Sequence, residues 1–251
     1  MATYTRIGVD TNVSVQAAPS AQSVPSGRAQ FVGVTQKGPI GHPYALTSIR
    51  DFERLFGGRA PFSSLYDEVR AYFNLGGAEA FITRVVGPAA TNGSVTLTDG
   101  ASESPKDVLT VEVIDPGQQS QDYKVNITAR PDTGFDLTVV DTSTGRTIAS
   151  FLANESPADL ANRAIGNSVV RIKDLGAGVN PGAVVKPISA GSDDRASVTV
   201  DDYVKALDAH KDVPGGVALA APDLVAPASA EKIGQHAIER EKIYIADLPY
   251  D

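Results

Sequence analysis

The chain has 251 residues, room for one large domain or two ordinary ones that each bury a core. Its 22 basic and 30 acidic residues give a formal charge of −8, which argues against a phosphate-tracking nucleic-acid surface built on Lys and Arg. There is no cysteine, so disulfides, thiolate metal sites and cysteine nucleophiles are excluded, and no stretch approaches the roughly twenty apolar residues of a membrane span.

At the N-terminus no apolar run has signal-peptide length, and the expectation is a protein made and kept in aqueous compartments. Thr5, Ile7, Val9, Val13 and Val15 are candidate same-face positions of a loosely alternating segment broken by Asp10-Thr11-Asn12. A small-residue tether, Ala17 to Gly27, follows, with Pro19 and Pro25 inside it. Two readings stay open for residues 1–27: a frayed terminus, or an arm that adds a strand to a neighbour's sheet.

From Arg28 to Pro88 the pattern reads strand, turn, short helix, second helix, strand. Phe31-Val32-Gly33-Val34 is the first strand and Lys37-Gly38-Pro39 the turn. Ser48, three residues before Asp51, predicts a helix start, and Gly57-Gly58 its exit. For the second helix the expected cap is Ser64 with Asp67 at the third position. Leu65, Val69, Tyr72 and Phe73 make its apolar face, and Gly76-Gly77 ends it. Ala80 to Val86, almost wholly apolar, predicts a strand covered on both faces.

From Ala89 to Pro187 the texture is β-rich. Runs at 94–98, 108–114, 123–128, 135–140 and 147–152 are parted by turns at Asp99-Gly100, Pro116-Gly117, Asp132-Thr133-Gly134 and Thr144-Gly145-Arg146. Ser156-Pro157-Ala158-Asp159 predicts a short helix with Leu160, Ala164 and Ile165 on its face, then a strand at 169–175 and a loop from Gly176 to Lys186. After residue 188 the predicted elements are a helix capped by Thr199 with Tyr203, Ala206, Leu207 and His210 on one face, and a break at Pro214-Gly215-Gly216. A strand at 217–221, a helix from Pro227 to about Arg240 and a strand at 242–247 complete the list. So short a strand–helix–strand connection predicts a parallel crossover. A parallel strand so near Asp251, with no covering helix after it, is expected to belong to a longer unit.

Candidate chemistry is sparse. His42, His210 and His236 sit in no metal-ligand spacing. Gly176-Ala177-Gly178 lacks the helix start of a dinucleotide loop, and neither a Walker-type Gly-Lys-Ser/Thr nor a Gly-x-Ser-x-Gly elbow occurs. Asp193-Asp194 and Asp201-Asp202 read as acids at helix starts rather than a cation site. Glu68 with Tyr72 and Glu239 with Lys242 read as helix-surface pairs. The expectation is no catalytic residue, no cofactor and no metal, so not an enzyme.

Phe31-Val32-Gly33-Val34, Lys37-Gly38-Pro39, Leu46-Thr47-Ser48, Leu55-Phe56-Gly57-Gly58, Val69-Arg70-Ala71-Tyr72-Phe73 and Thr83-Arg84-Val85 together resemble, in order and spacing, the N-terminal part of contractile tail sheath proteins. A second patch agrees: Gly191-Ser192-Asp193-Asp194, Asp202-Tyr203 and Val217 to Pro222. The resemblance implies a mixed α/β main domain with parallel βαβ elements in two segments, 28–88 and 188–251. A β-rich domain, 89–187, would interrupt it, and an extended arm, 1–27, would precede it. It also implies a non-enzymatic structural subunit of the virion tail, assembled in the host cytoplasm into helically stacked six-membered rings, with tail tube, baseplate and tail terminator proteins as partners and neither nucleic acid nor membrane. The sheath would contract to drive the tube through a cell envelope; headless bacteriocins and injection particles share this plan. Thr5, Ile7, Val9, Val13 and Val15 would be the inter-subunit strand, and Pro19, Pro25 and Gly27 its hinge. A different class stays open, an α/β ligand-binding or hydrolytic domain with its site at strand ends near Asp223 and Asp247.

Overall fold

The computed structural model describes residues 27–132, 134–208, 213 and 217–247. The arm positions Thr5, Ile7, Val9, Val13 and Val15, with Pro19 and Pro25, lie outside the described residues, as do Thr133, His210 and the break at 214–216.

The first segment runs β1 (Arg28–Gly33), β2 (Tyr44–Leu46), α1 (Ile49–Phe56), α2 (Leu65–Asn74) and β3 (Glu79–Arg84). The predicted start of α1 holds: the Ser48 hydroxyl accepts from Asp51 N at 3.2 Å and donates to the Asp51 carboxylate at 2.8 Å, and Gly57 leaves the helix at φ +91°. The strand β2 was not expected. It is three residues long and lies antiparallel against β3 at the sheet edge, so the partner and not its own pattern makes it a strand.

The middle of the chain supplies β4 (Ser94–Thr98), β5 (Asp107–Val113), β6 (Tyr123–Ala129), β7 (Phe135–Asp141), β8 (Thr147–Asn154), α3 (Pro157–Arg163), β9 (Val170–Asp174) and β10 (Val184–Pro187). A short 3₁₀ turn, Gln118–Asp122, follows Gly117. The strands form two antiparallel sheets, β4-β5-β9 and β10-β6-β7-β8, whose inner faces share one core containing Leu97, Leu109, Val111, Ile127, Leu137 and Leu160. This is a β-sandwich. Alternation carries it: β7 buries Phe135, Leu137, Val139 and Asp141 and leaves the residues between them half-buried.

Two expectations here are corrected. The end of the stretch read as loop, residues 184–186, belongs to β10, an edge strand paired with β6, and Lys186 reaches across to donate to Thr96 O at 2.8 Å in the facing sheet. Ile165, assigned to the apolar face of α3, is 79% exposed. The helix ends at Arg163, so only Leu160 and Ala164 keep helical spacing onto the core.

The last segment gives α4 (Val200–Asp208), β11 (Ala218–Ala220), α5 (Pro227–Glu239) and β12 (Ile243–Ile245). With the first segment it builds one five-stranded sheet in the order β12-β11-β1-β3-β2, parallel except for β2. Its two faces are covered differently. Phe31, Ile82 and Ala220 pack under α1 and α2 with Phe52, Phe56, Leu65 and Val69, while Val32 and Leu219 pack under α4 and α5 with Tyr203, Leu207, Ile233 and Ala237. The fold is therefore a mixed α/β one, a three-layer unit plus a β-sandwich. Burial holds α4 on α5: each fully buried apolar side chain contributes about 1.5–3 kcal/mol, whereas the exposed Lys232–Asp201 pair at 2.6 Å contributes roughly 1 kcal/mol at most.

Two substitutions, one in α3 and one just after it, check the corrected face. Leu160→Ala should cost about 2–5 kcal/mol in chemical denaturation, and Ile165→Ala should stay within about 0.5 kcal/mol of the parent.

Candidate functional site

Open parallel sheets place ligands beyond the carboxyl ends of their strands, and here β11 and β12 lead directly into Asp223 and Asp247. Beside them lie Ser64 and Glu68, at the start and in the first turn of α2. Arg59, Phe62, Ser64, Asp67 and Asp223 line an open cleft of about 700 Å³ at this edge.

The polar groups of the cleft are already engaged with one another. Asp223, at φ +72° in the left-handed region that Asp tolerates better than most residues, points its carboxylate at the N-terminus of α2. Its Oδ1 accepts from Ser64 N at 3.0 Å and from Ser64 Oγ at 2.8 Å. Ser64 was expected to cap α2 itself. Its backbone is helical (φ −84°, ψ −6°) and its side chain makes no cap bond, so the acceptors at this helix start are the Ser63 hydroxyl, which takes Leu65 N at 3.2 Å, and Asp223, 159 residues away, which takes Ser64 N. A carboxylate there is favoured by the helix dipole and fills the place an external anion would take. Arg59 is held by Asp67 at 2.8 Å.

Glu68, read from sequence as a surface partner of Tyr72, instead belongs to this carboxylate group. Burial, then the neighbouring Asp247 and Asp223 carboxylates, push its carboxyl up to about 7. Tyr72 turns the other way, its hydroxyl donating to Gly27 O and Glu79 O. Lys242 likewise leaves the expected Glu239 pairing: its ammonium donates to the buried Gln30, and burial lowers it to about 8. The sequence signal that could have found Glu68 is its place in the first turn of a helix whose start faces two acid-bearing strand ends.

Among the described residues the arrangement assembles no nucleophile, base and orienting group. His236 is buried on α5 against Asp208 at 3.1 Å, and His42 stacks on Tyr44 with ring centroids 4.4 Å apart, so neither reaches Ser64. Asp193 pairs with Arg195 at 2.8 Å, and Asp194 accepts from Ala89 N at 3.0 Å. Asp202 accepts from Thr199 N at 2.8 Å. Among the described residues no group of three or more His, Asp or Glu side chains could hold a metal ion.

Of the proposed hinge, only Gly27 is described. At φ +91° its carbonyl accepts from Ala78 N at 2.9 Å, Glu79 N at 3.2 Å and the Tyr72 hydroxyl, which fastens the chain to the body just before β1.

No protein-family model matches the chain, and no curated protein matches it in sequence. Solved structures do. The sheath tail protein from Listeria innocua aligns with a TM-score of 0.60 and 13% identity over 84% of this chain and 43% of that one. The sheath tail protein from Desulfitobacterium hafniense aligns with a TM-score of 0.58 and 19% identity over 92% of this chain and 51% of that one. The chain spans about half the length of these structures, and at such identity the likeness is one of fold: this is a sheath-tail-protein-like α/β fold.

Glu68 gives the cluster a pH signature. Its folded carboxyl keeps a proton up to about pH 7, where the unfolded one loses it near 4.5, so the folded state binds more protons between these values and stability falls as pH rises through them. Glu68→Gln should raise Tm by a few degrees at pH 8 and by much less at pH 5, read by differential scanning calorimetry.

Proposed function

We propose that this chain is part of a contractile tail sheath subunit, a structural protein that polymerises around a tail tube and drives it through a cell envelope. The observation that carries this reading is the alignment of 84% and 92% of the chain with two sheath tail proteins. The internally satisfied strand-end cleft supports it, because the place where this sheet type binds ligands is filled by Asp223. In this reading segments 28–88 and 188–251 form the main domain, 89–187 is inserted, and 1–27 is an arm that adds a strand to a neighbouring copy.

The arm proposal has a physical basis in the anchoring of Gly27. A strand exchanged between copies needs one fixed end and one free end, and the three bonds to the Gly27 carbonyl supply the fixed one. Each ladder hydrogen bond contributes only about 0.5–1.5 kcal/mol. Repeated around a closed ring, the linkages become hard to undo together while each can still be exchanged. The partners are further copies in six-membered rings, a tube protein, and baseplate and terminator proteins. A phage tail, a headless bacteriocin and an injection particle share this mechanism, and gene neighbourhood separates them.

A ligand-binding reading draws on the 700 Å³ cleft. It requires a ligand that displaces Asp223 from α2, and a thermal-shift screen over a broad library should return no hit that is lost in Asp223→Ala. The sheath reading is tested by deleting residues 1–26 from the intact gene product. The expected result is a folded, soluble protein that forms no tubes in negative-stain micrographs; tubes like those of the parent overturn the arm.

A further inference from the structure

The chain passes between the three-layer unit and the sandwich twice, leaving through 85–93 and returning through 189–194. Two such linkers ordinarily leave the units they join free to move. Here they are zipped to each other. Gly87 N donates to Asp193 O at 2.9 Å, Thr91 N to Ser192 O at 2.7 Å, Ser192 N back to Thr91 O at 2.9 Å, and Ser189 N to Ser94 O at 3.0 Å. The approach is close enough that a Cβ on Gly191 would sit 2.3 Å from Thr91 O, and one on Gly87 2.1 Å from Asp194 O. The hydroxyl of the fully buried Ser120, from the sandwich, threads the pair: it accepts from Gly191 N at 2.8 Å and donates to Ser189 O at 3.0 Å.

Arg84, at the end of β3, stands behind this ribbon at 2% exposure. Its Nη1 donates to Gly38 O of the three-layer unit, and its charge faces Asp115 of the sandwich and Asp193 of the returning segment. Its Nε and Nη2 have no protein partner. A buried guanidinium is strongly unfavourable without nearby countercharge, and here one of the two carboxylates belongs to the other body. Swinging the sandwich away would take Asp115 from the cation and leave Asp193, already paired with Arg195, as its countercharge. Next to it Arg195 pairs with Asp193 and lies 3.8 Å over the Phe62 ring, tying the returning segment to the α1–α2 connection.

We propose that the paired crossing segments and the buried Arg84 form a rigid joint that holds the β-sandwich in one orientation on the three-layer unit, with Arg84 as the positioning residue. The inference stands on the contacts at the joint and does not depend on the assembly reading.

The absence of cysteine makes the test direct. Spin labels at Ser150→Cys on the sandwich and Gln235→Cys on α5, both exposed positions, report the separation of the two bodies by double electron–electron resonance. The parent should give one narrow distance distribution. Arg84→Gln should broaden it roughly twofold or more while circular dichroism stays unchanged, and Arg84→Lys, which keeps the charge, should restore the narrow form. Ser120→Ala, which removes only a hydroxyl, should also broaden it, and it decides the matter with the parent should Arg84→Gln fail to fold. A broad parent distribution, a folded Arg84→Gln or Ser120→Ala with the parent's distribution, or an Arg84→Lys as broad as Arg84→Gln overturns the proposal.

Discussion

The architecture depends on β1 being a central strand. All six residues of Arg28–Gly33 pair in parallel with β3 on one side, and Ala29, Gln30 and Phe31 pair with β11 on the other, almost 190 residues further along the chain. A parallel strand in this position is closed to solvent on both faces and both edges, so Ala29, Gln30, Phe31 and Val32 are all buried. Until the last segment returns, one edge of β1 is open and Val32 is uncovered. The three-layer unit therefore cannot be completed before the sandwich region has been traversed, and the outgoing and returning segments must lie side by side.

That requirement explains a relation between two patches of sequence that are remote in the chain. Thr83-Arg84-Val85 and Gly191-Ser192-Asp193-Asp194 meet at the crossing, where Gly87 bonds Asp193 and Arg84 faces it. A second long-range contact, Asp223 on Ser64, lies at the same carboxyl edge of the sheet and joins the end of β11 to the start of α2. Both contacts use polar groups in place of apolar ones, and both sit where the first and last segments must be brought into register. The carboxyl edge of the sheet, a ligand site in many proteins of this topology, here serves as an internal fastening.

Much of this was legible in the sequence because it is written in local pattern. The sandwich strands announce themselves by alternation, α1 and α3 by Ser48 and Ser156 placed three residues before Asp51 and Asp159, and the parallel strands by largely apolar runs. What stayed hidden depends on partners far away. Strands β2 and β10 are three- and four-residue edges that exist because β3 and β6 offer a ladder. Ser64 looks like a cap locally and is one half of a contact across 159 residues. Arg84 sits in a strand read as almost wholly apolar, and its burial follows from a countercharge on the sandwich that no local pattern encodes. The group around Glu68 was half visible: Asp223 and Asp247 stand out at strand ends, whereas Glu68 joins them only once α2 is laid beside β1.

The fold is like that of two sheath tail proteins, and the sheath role proposed for this chain requires a unit that repeats. Negative-stain electron microscopy of the intact gene product at high concentration tests that claim most directly. Ordered tubes or stacked rings of a single repeat are the predicted result; dispersed single particles at every concentration would contradict it.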